Sequence, residues 1–329
     1  MPIDLPRRAL ICSTLAFGAL GVQIQAHGAA TERFPSRPIK LIVPYPAGGS
    51  TDQLARMIAE PMSKSLGQAV YVENRGGGNT MIGSAAASRA PADGYTLLVN
   101  SLAFSVNVLV TKHSSYRTDD FIPVAPLVTT PYVLSVNPGV PAQSLQELLD
   151  YARRAPDKVN AVSLGVGGVT HLLNERLAAA THVPITSVHY RGAGPAMIDL
   201  LSGQVQFFID TAVTSMPNLR THKLRPLAVT SAERMKLLPE VPTFKELGYP
   251  EMTQESWFGV FAPKGTPADI VQRLNVEVRK AMASPAVQQI ITHDGLQAPQ
   301  WTPQEFDQFI RRDSATWAAI VKKLNIQLD

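Results

Sequence analysis

The chain has 329 residues, 45% hydrophobic and 17% charged, a globular composition that excludes an intrinsically disordered chain. That length suits two domains of ordinary size. The formal charge is +4 and the pI about 9.2, but Lys and Arg are scattered and no basic run is interleaved with aromatics, which argues against nucleic acid as a partner.

Residues 1–30 read as a signal peptide for export. Arg7 and Arg8 form a basic leader and residues 9–22 are apolar, too short a run to span a bilayer. Ala26, Gly28, Ala29 and Ala30 supply small residues for cleavage, and the general export route fits better than the twin-arginine one. Cys12 is the one cysteine and falls inside the apolar run, so the processed chain has no thiol, which suits an oxidising compartment. No later stretch is long and apolar enough to be a membrane span.

Residues 39–43, IKLIV, are β-branched and apolar and read as a buried strand. Leu54, Met57, Ile58, Met62 and Leu66 recur at helical spacing, with Pro61 predicting a kink or a restart. Between them lies PYPAGGSTD (44–52), with two prolines, two glycines and the hydroxyls of Ser50 and Thr51. A strand, a Gly-rich turn and a helix tip gather unpaired N–H groups at the positive end of a helix dipole, which attracts an anion. The same nine residues also fit an ordinary βα turn.

A strand at 69–73, a second glycine turn at 74–79, a helix from Met81 and a strand at 95–99 complete a βαβαβ series. Such alternation predicts a parallel sheet with helices on both faces and ligands beyond the carboxyl ends of its strands. Thr129-Thr130-Pro131 interrupts the pattern. A second series follows: strand 132–136, helix 143–154, strand 160–163, a glycine turn at 165–168, helix 170–180, strand 186–189, helix 195–201 and strand 205–210. The pattern changes again around 254–261. A helix begins near Thr266-Pro267 and a longer one at Thr302-Pro303, where Thr302 and Glu305 form a capping box. Phe306, Phe309, Ile310, Trp317, Ile320, Val321 and Leu324 then recur as a core-facing stripe.

Neither a nucleophile elbow nor a P-loop occurs, and the 165–168 turn lacks the third glycine of a dinucleotide fingerprint, Thr170 standing in its place. His182 and His189 tend to opposite faces of a strand, so no metal site is expected. His171, in the first turn of a helix after the glycine turn, reads either as a packed residue bonding its loop or as a ligand contact. What remains is one glycine-flanked helix tip in each half. Facing each other, they hold a single carboxylate with backbone N–H groups and no arginine clamp.

Seven motifs in register resemble the Bug family, the periplasmic receptors associated with tripartite tricarboxylate transporters. They are PYPAGGSTDQLAR (44–56), VENRGGGNTMIG (72–83), DGYTLL (93–98), the 165–175 turn and helix with His171-Leu172, Tyr190-Arg191-Gly192, LAVTSAERMKLLPEVPTFKELG (227–248) and WFGVFAPKGTP (257–267). The resemblance implies an α/β, two-lobed type II periplasmic-binding-protein fold, each lobe a mainly parallel sheet flanked by helices. Lobe 1 would be residues 31–131 and 255–329, and lobe 2 residues 132–254. It implies a receptor that closes on a small carboxylate and delivers it to a tripartite tricarboxylate-type permease. Such a protein is not an enzyme and is expected to be a monomer without cofactor or metal.

Carried over by position, the first binding loop is Tyr45, Ala47, Gly48, Gly49, Ser50 and Asp52. The second is Gly165, Gly167, Gly168 and His171, and Ser101, Tyr190 and Asp210 fall where the cleft would be lined. Two departures bear on the distal half of the ligand: Gly168 where the family often has serine, and His189 where proline is usual before the tyrosine. The alternative is a ligand-sensing partner of a signalling protein that moves no solute. A hydrolase built on the same scaffold would need an activated nucleophile.

Overall fold

In the computed structural model the described residues are 34–328, so the signal peptide expected at 1–30 lies outside them. β1 (Ile39–Val43), α1 (Ser50–Leu66), β2 (Val70–Asn74), α2 (Met81–Ser88) and β3 (Thr96–Ser101) are the expected βαβαβ series. β1 is buried on both sides: Leu41 and Val43 join one hydrophobic cluster and Ile42 the other, as period-two alternation requires. α1 continues through Pro61 as one helix and does not restart there.

An unforeseen α3 (Ala103–Val110) follows β3, and then β4 (Phe121–Val136) runs for 16 residues. Thr129-Thr130-Pro131 therefore does not end a strand. It is where β4 changes neighbours. The second series is α4 (Leu145–Arg154), β5 (Asn160–Ser163), α5 (Val169–Thr181), β6 (Thr186–His189), α6 (Ala193–Ser202), β7 (Phe207–Thr211), α7 (Ala212–Arg220) and β8 (Arg225–Val229). The chain returns through β9 (Glu255–Pro263) and closes with α8 (Ala268–Met282), α9 (Pro285–Asp294) and α10 (Pro303–Leu324).

α10 starts as its sequence dictates. The Glu305 N–H donates to Thr302 Oγ1 at 3.2 Å, and the Thr302 N–H donates to Glu305 Oε2 at 2.8 Å. Phe306, Ile310, Trp317 and Val321 of its apolar stripe are buried and Phe309, Ile320 and Leu324 pack against the same cluster. No helix among the described residues is long and apolar enough to cross a membrane.

Among the described residues, nine strands form one continuous sheet in the order β2-β1-β3-β9-β4-β7-β5-β6, with β8 also on β4. β4 pairs with β9 as far as Pro131 opposite Glu255, and with β7 from Tyr132 opposite Thr211. In the first set only β9 runs against the others; in the second, β7, β8, β5 and β6 all run against β4. The strand directions bring particular ends together. β4 travels from the first set into the second, so β1 and β3, which run with it, end facing the second set. β7, β5 and β6 run the other way and end facing the first. The carboxyl ends of both sets meet where β4 crosses.

Candidate functional site

A helix begins just beyond four of those strand ends and another follows β6, so the N-termini of α1, α3, α5, α6 and α7 converge there. They surround a cavity of about 80 Å³, room for roughly five to eight waters at about 10–15 Å³ each. Its wall includes Tyr45, Pro46, Gly49, Ser50 and Thr51 from the β1–α1 turn, Ser101 and Ala103 from the β3–α3 turn, and Gly168, Val169 and Thr170 from the start of α5. Ala193 opens α6, and Asp210 and Thr211 precede α7. None of these five helices has an N-cap side chain bonded to its first N–H groups. Among the described residues, no lysine, arginine or histidine lines the cavity. The positive potential therefore comes from backbone donors and helix dipoles, each tip contributing about 0.3–1 kcal/mol towards an anion, up to about 2 when partly buried.

Tyr45 reaches the site with its hydroxyl 3.1 Å from Ser101 Oγ and 3.4 Å from Asn100 Oδ1. Burial pushes its pKa up to about 12, partly offset by the Ser101 bond, so the phenol stays neutral and able to donate. Ser50 Oγ lies 2.7 Å from Thr211 Oγ1, joining the first turn of α1 to the cap of α7. Asp210 is buried at the end of β7. The Thr211 N–H donates to its Oδ1 at 2.8 Å and the Thr214 hydroxyl bonds its Oδ2. Burial carries its carboxyl up to about 7 against the pull of those two bonds.

Of the residues carried over from the sequence, Tyr45, Gly49, Ser50, Ser101, Gly168 and Asp210 meet on this wall. Gly165 and Tyr190 line a second cavity of about 350 Å³, which shares Tyr45, Pro46, Asn79 and Leu164 with the first. The remaining five, Ala47, Gly48, Asp52, Gly167 and His171, are off both walls, and all but Ala47 use a polar group within their own loop. The Gly48 N–H donates to Asp52 Oδ2 at 3.0 Å, while Arg56 Nε and Asn74 Nδ2 donate to Oδ1 at 3.0 and 2.9 Å. Burial alone would raise the Asp52 pKa, but these donors hold it below the usual range. Ala47 sits in the same turn, its carbonyl 3.3 Å from where a Cβ on Gly194 would lie. His171 Nδ1 accepts the Gly167 N–H at 3.0 Å, so Nε2 carries the ring proton and faces Glu175 at 3.5 Å. Burial lowers the His171 pKa, and the edge-on ring of His189 at 5.1 Å lowers it further while Glu175 opposes.

Asp52→Ala removes the acceptor that ties the turn together. We expect a loss of about 3 kcal/mol, the scale of one or two hydrogen bonds to a charged group. Because the folded pKa is depressed, that stability is present above the unfolded value and is lost as pH falls through the folded one. Denaturant titrations of wild type and variant should therefore diverge near neutrality and converge below about pH 4. Equal gaps at both pH values would remove Asp52 from this role.

Asn79, Thr51, Thr170, Thr211, Tyr132 and Ser256 also line the cavity and are not among the site residues carried over. Asn79 had a signal. It ends the glycine turn in a left-handed conformation (φ 50°), and its Nδ2 donates to Asn107 Oδ1 at 3.2 Å and to Val166 O at 3.4 Å, bridging to the α5 loop. Tyr132 and Ser256 sit where β4 and β9 cross between the sets, which no local pattern reveals.

The profile of the tripartite tricarboxylate transporter family receptor matches residues 54–326. The chain belongs to that family. The match begins inside α1, so the β1–α1 turn precedes it. BugT of Bordetella pertussis is 36% identical over 322 residues, covering 96% of this chain and 99% of its own, and so includes the turn. Among solved structures, the periplasmic binding protein BugD superposes with a TM-score of 0.86 at 32% identity, covering 89% of this chain and 99% of BugD. R. palustris Rpa4515 with adipate has a TM-score of 0.85 at 35% identity (89% and 99% covered), and MatC from Rhodopseudomonas palustris with bound malate 0.83 at 33% (88% and 100%). A TctC-family receptor thus has the periplasmic binding protein fold, a curled mixed sheet with flanking helices, and its family comprises solute-binding proteins rather than enzymes.

Proposed function

We propose that this chain is an extracytoplasmic receptor that closes on one small organic acid and hands it to a permease of the tripartite tricarboxylate type. The observation that carries the reading is the convergence of five helix N-termini on a cavity without a lining cation. Several N–H groups there can each contribute roughly 1.5–3 kcal/mol to a carboxylate, enough to offset desolvation and reach micromolar affinity, about −8 kcal/mol. Neighbours holding adipate and malate support the ligand class.

The lobes of this reading are residues 31–131 with 255–329, and residues 132–254, the chain crossing between them in β4 and before β9. The change of strand partner at Pro131 and Tyr132 supports that division. Ser50 with Thr211, and the Arg176 guanidinium 5.7 Å over the Trp317 ring, are contacts across it that closing would form. The ligand set is Tyr45, Gly49, Ser50, Ser101, Gly168 and Asp210, joined by Thr51, Asn79 and Thr170. The protein acts as a monomer, exported by its amino-terminal segment, and binds without turnover.

Thermal-shift screening of succinate, glutarate, adipate, malate and citrate tests this. An acid present at about a hundred times its Kd stabilises by roughly 2.7 kcal/mol, which raises Tm by about 5 °C or more. Solution scattering with that acid should show compaction. If no acid shifts Tm, the ligand class is wrong.

A further inference from the structure

Among the described residues, Asp210 is the one acidic side chain on the cavity wall, and nothing cationic stands beside it there. The groups facing it come from every side. β4 presents Tyr132 and the β1–α1 turn presents Tyr45, two phenols that burial keeps neutral. β9 presents the Ser256 hydroxyl, and α1 and the α7 cap present Ser50 and Thr211. Each carboxylate oxygen accepts one protein hydrogen bond, from the Thr211 N–H or the Thr214 hydroxyl, and can accept a second. A plain carboxylate entering this buried space brings a second negative charge close to the first, which low dielectric makes costly. The second acceptor position on each oxygen is open to a donor carried by the guest.

We propose that Asp210 selects the ligand by accepting a hydrogen bond from a hydroxyl or ammonium group on the acid, so that donor-bearing acids bind in preference to their plain counterparts. The inference rests on the carboxylate-receptor reading. The Asp210 pKa near 7 agrees with it, since a buried carboxylate without a cation is poorly stabilised until a donor reaches it.

Calorimetric titration with succinate, malate and aspartate, and with glutarate, 2-hydroxyglutarate and glutamate, tests the proposal on wild type and Asp210→Asn. At about pH 8 the wild type should prefer a donor-bearing acid over its plain partner by roughly ten- to a hundredfold, the weight of one hydrogen bond to a charged group. Preference for malate and 2-hydroxyglutarate assigns the donor to a hydroxyl; preference for aspartate and glutamate assigns it to an ammonium. In Asp210→Asn the preference should fall to within about threefold. A measurement on the wild type alone guards against a misfolded variant. At about pH 5.5 Asp210 carries its own proton, can donate to a plain acid, and the preference should shrink. Binding of all acids without preference at about pH 8, or a preference that survives in the variant, overturns the role of Asp210 alone. Binding of none of the six by wild type overturns the carboxylate reading together with it.

Discussion

Gly83→Ala is expected to destabilise the protein by about 3 kcal/mol and to weaken acid binding at least roughly tenfold. Gly83 lies in α2 with ordinary helical geometry, so alanine would by propensity alone stabilise by about 1 kcal/mol. Space decides otherwise. A Cβ there would lie 2.5 Å from the Arg75 carbonyl oxygen and 2.8 Å from Pro44 Cα and Cβ. The nearest atoms are main chain and a proline ring, not the far end of a flexible side chain, so the β1–α1 turn itself must move. Pro44 precedes Tyr45, whose hydroxyl and loop line the cavity, and a shift of a few tenths of an ångström misaligns the donors of the α1 tip. Thermal melts and titration with the acid found by screening check both halves. A variant that melts lower but binds as wild type would show that the turn and the site are not mechanically linked.

Trp257→Ala should lower stability by about 4 kcal/mol and Tm by about 10 °C. The indole is 1% exposed between β9 and α10, edge-on to Phe306 at 5.7 Å and to Phe309 at 6.4 Å. Its Nε1 donates to Asp313 Oδ2 at 2.8 Å. Burial raises the Asp313 pKa and the Trp257 and Gln254 bonds restrain it, so removing the indole raises it further. A carboxyl with a raised folded pKa loses stability as pH climbs from its unfolded value to its folded one. The deficit of the variant should therefore be larger at about pH 8 than at about pH 4. Trp257→Phe keeps most of the ring packing and should lose only about 1–3 kcal/mol, the share of the orphaned carboxylate. Equal losses in the two variants would assign the whole effect to the hydrogen bond.

Local patterns were legible in the sequence and crossings were not. The strands at 160–163 and 186–189 and the capped start of α10 were read with their observed ends, because alternation, glycine turns and a capping box act within a few residues. α3 was hidden because AFSVNVLV is apolar on nearly every face and shows no helical period. The strand through Thr129-Thr130-Pro131 was hidden because Pro131 reads as a break, although it sits where β4 passes from β9 to β7.

The site divides in the same way. Gly49, Ser50 and Gly168 could be placed because a helix tip is a local feature. Asp52 and His171, polar and next to those turns, invited assignment to the wall. Each instead satisfies an N–H of its own loop, Gly48 for one and Gly167 for the other. Tyr132, Thr211 and Ser256 reach the cavity only through the pairing of strands far apart in the chain, which composition and spacing do not encode.

A crystal structure grown with malate or adipate tests the central claim most directly. The expected result is a carboxylate whose oxygens accept hydrogen bonds, at about 3 Å, from N–H groups of Ser50 or Thr51 at the α1 tip and of Val169 or Thr170 at the α5 tip. An acid bound outside the cavity, or gripped by a lysine or arginine with those N–H groups unengaged, would contradict it.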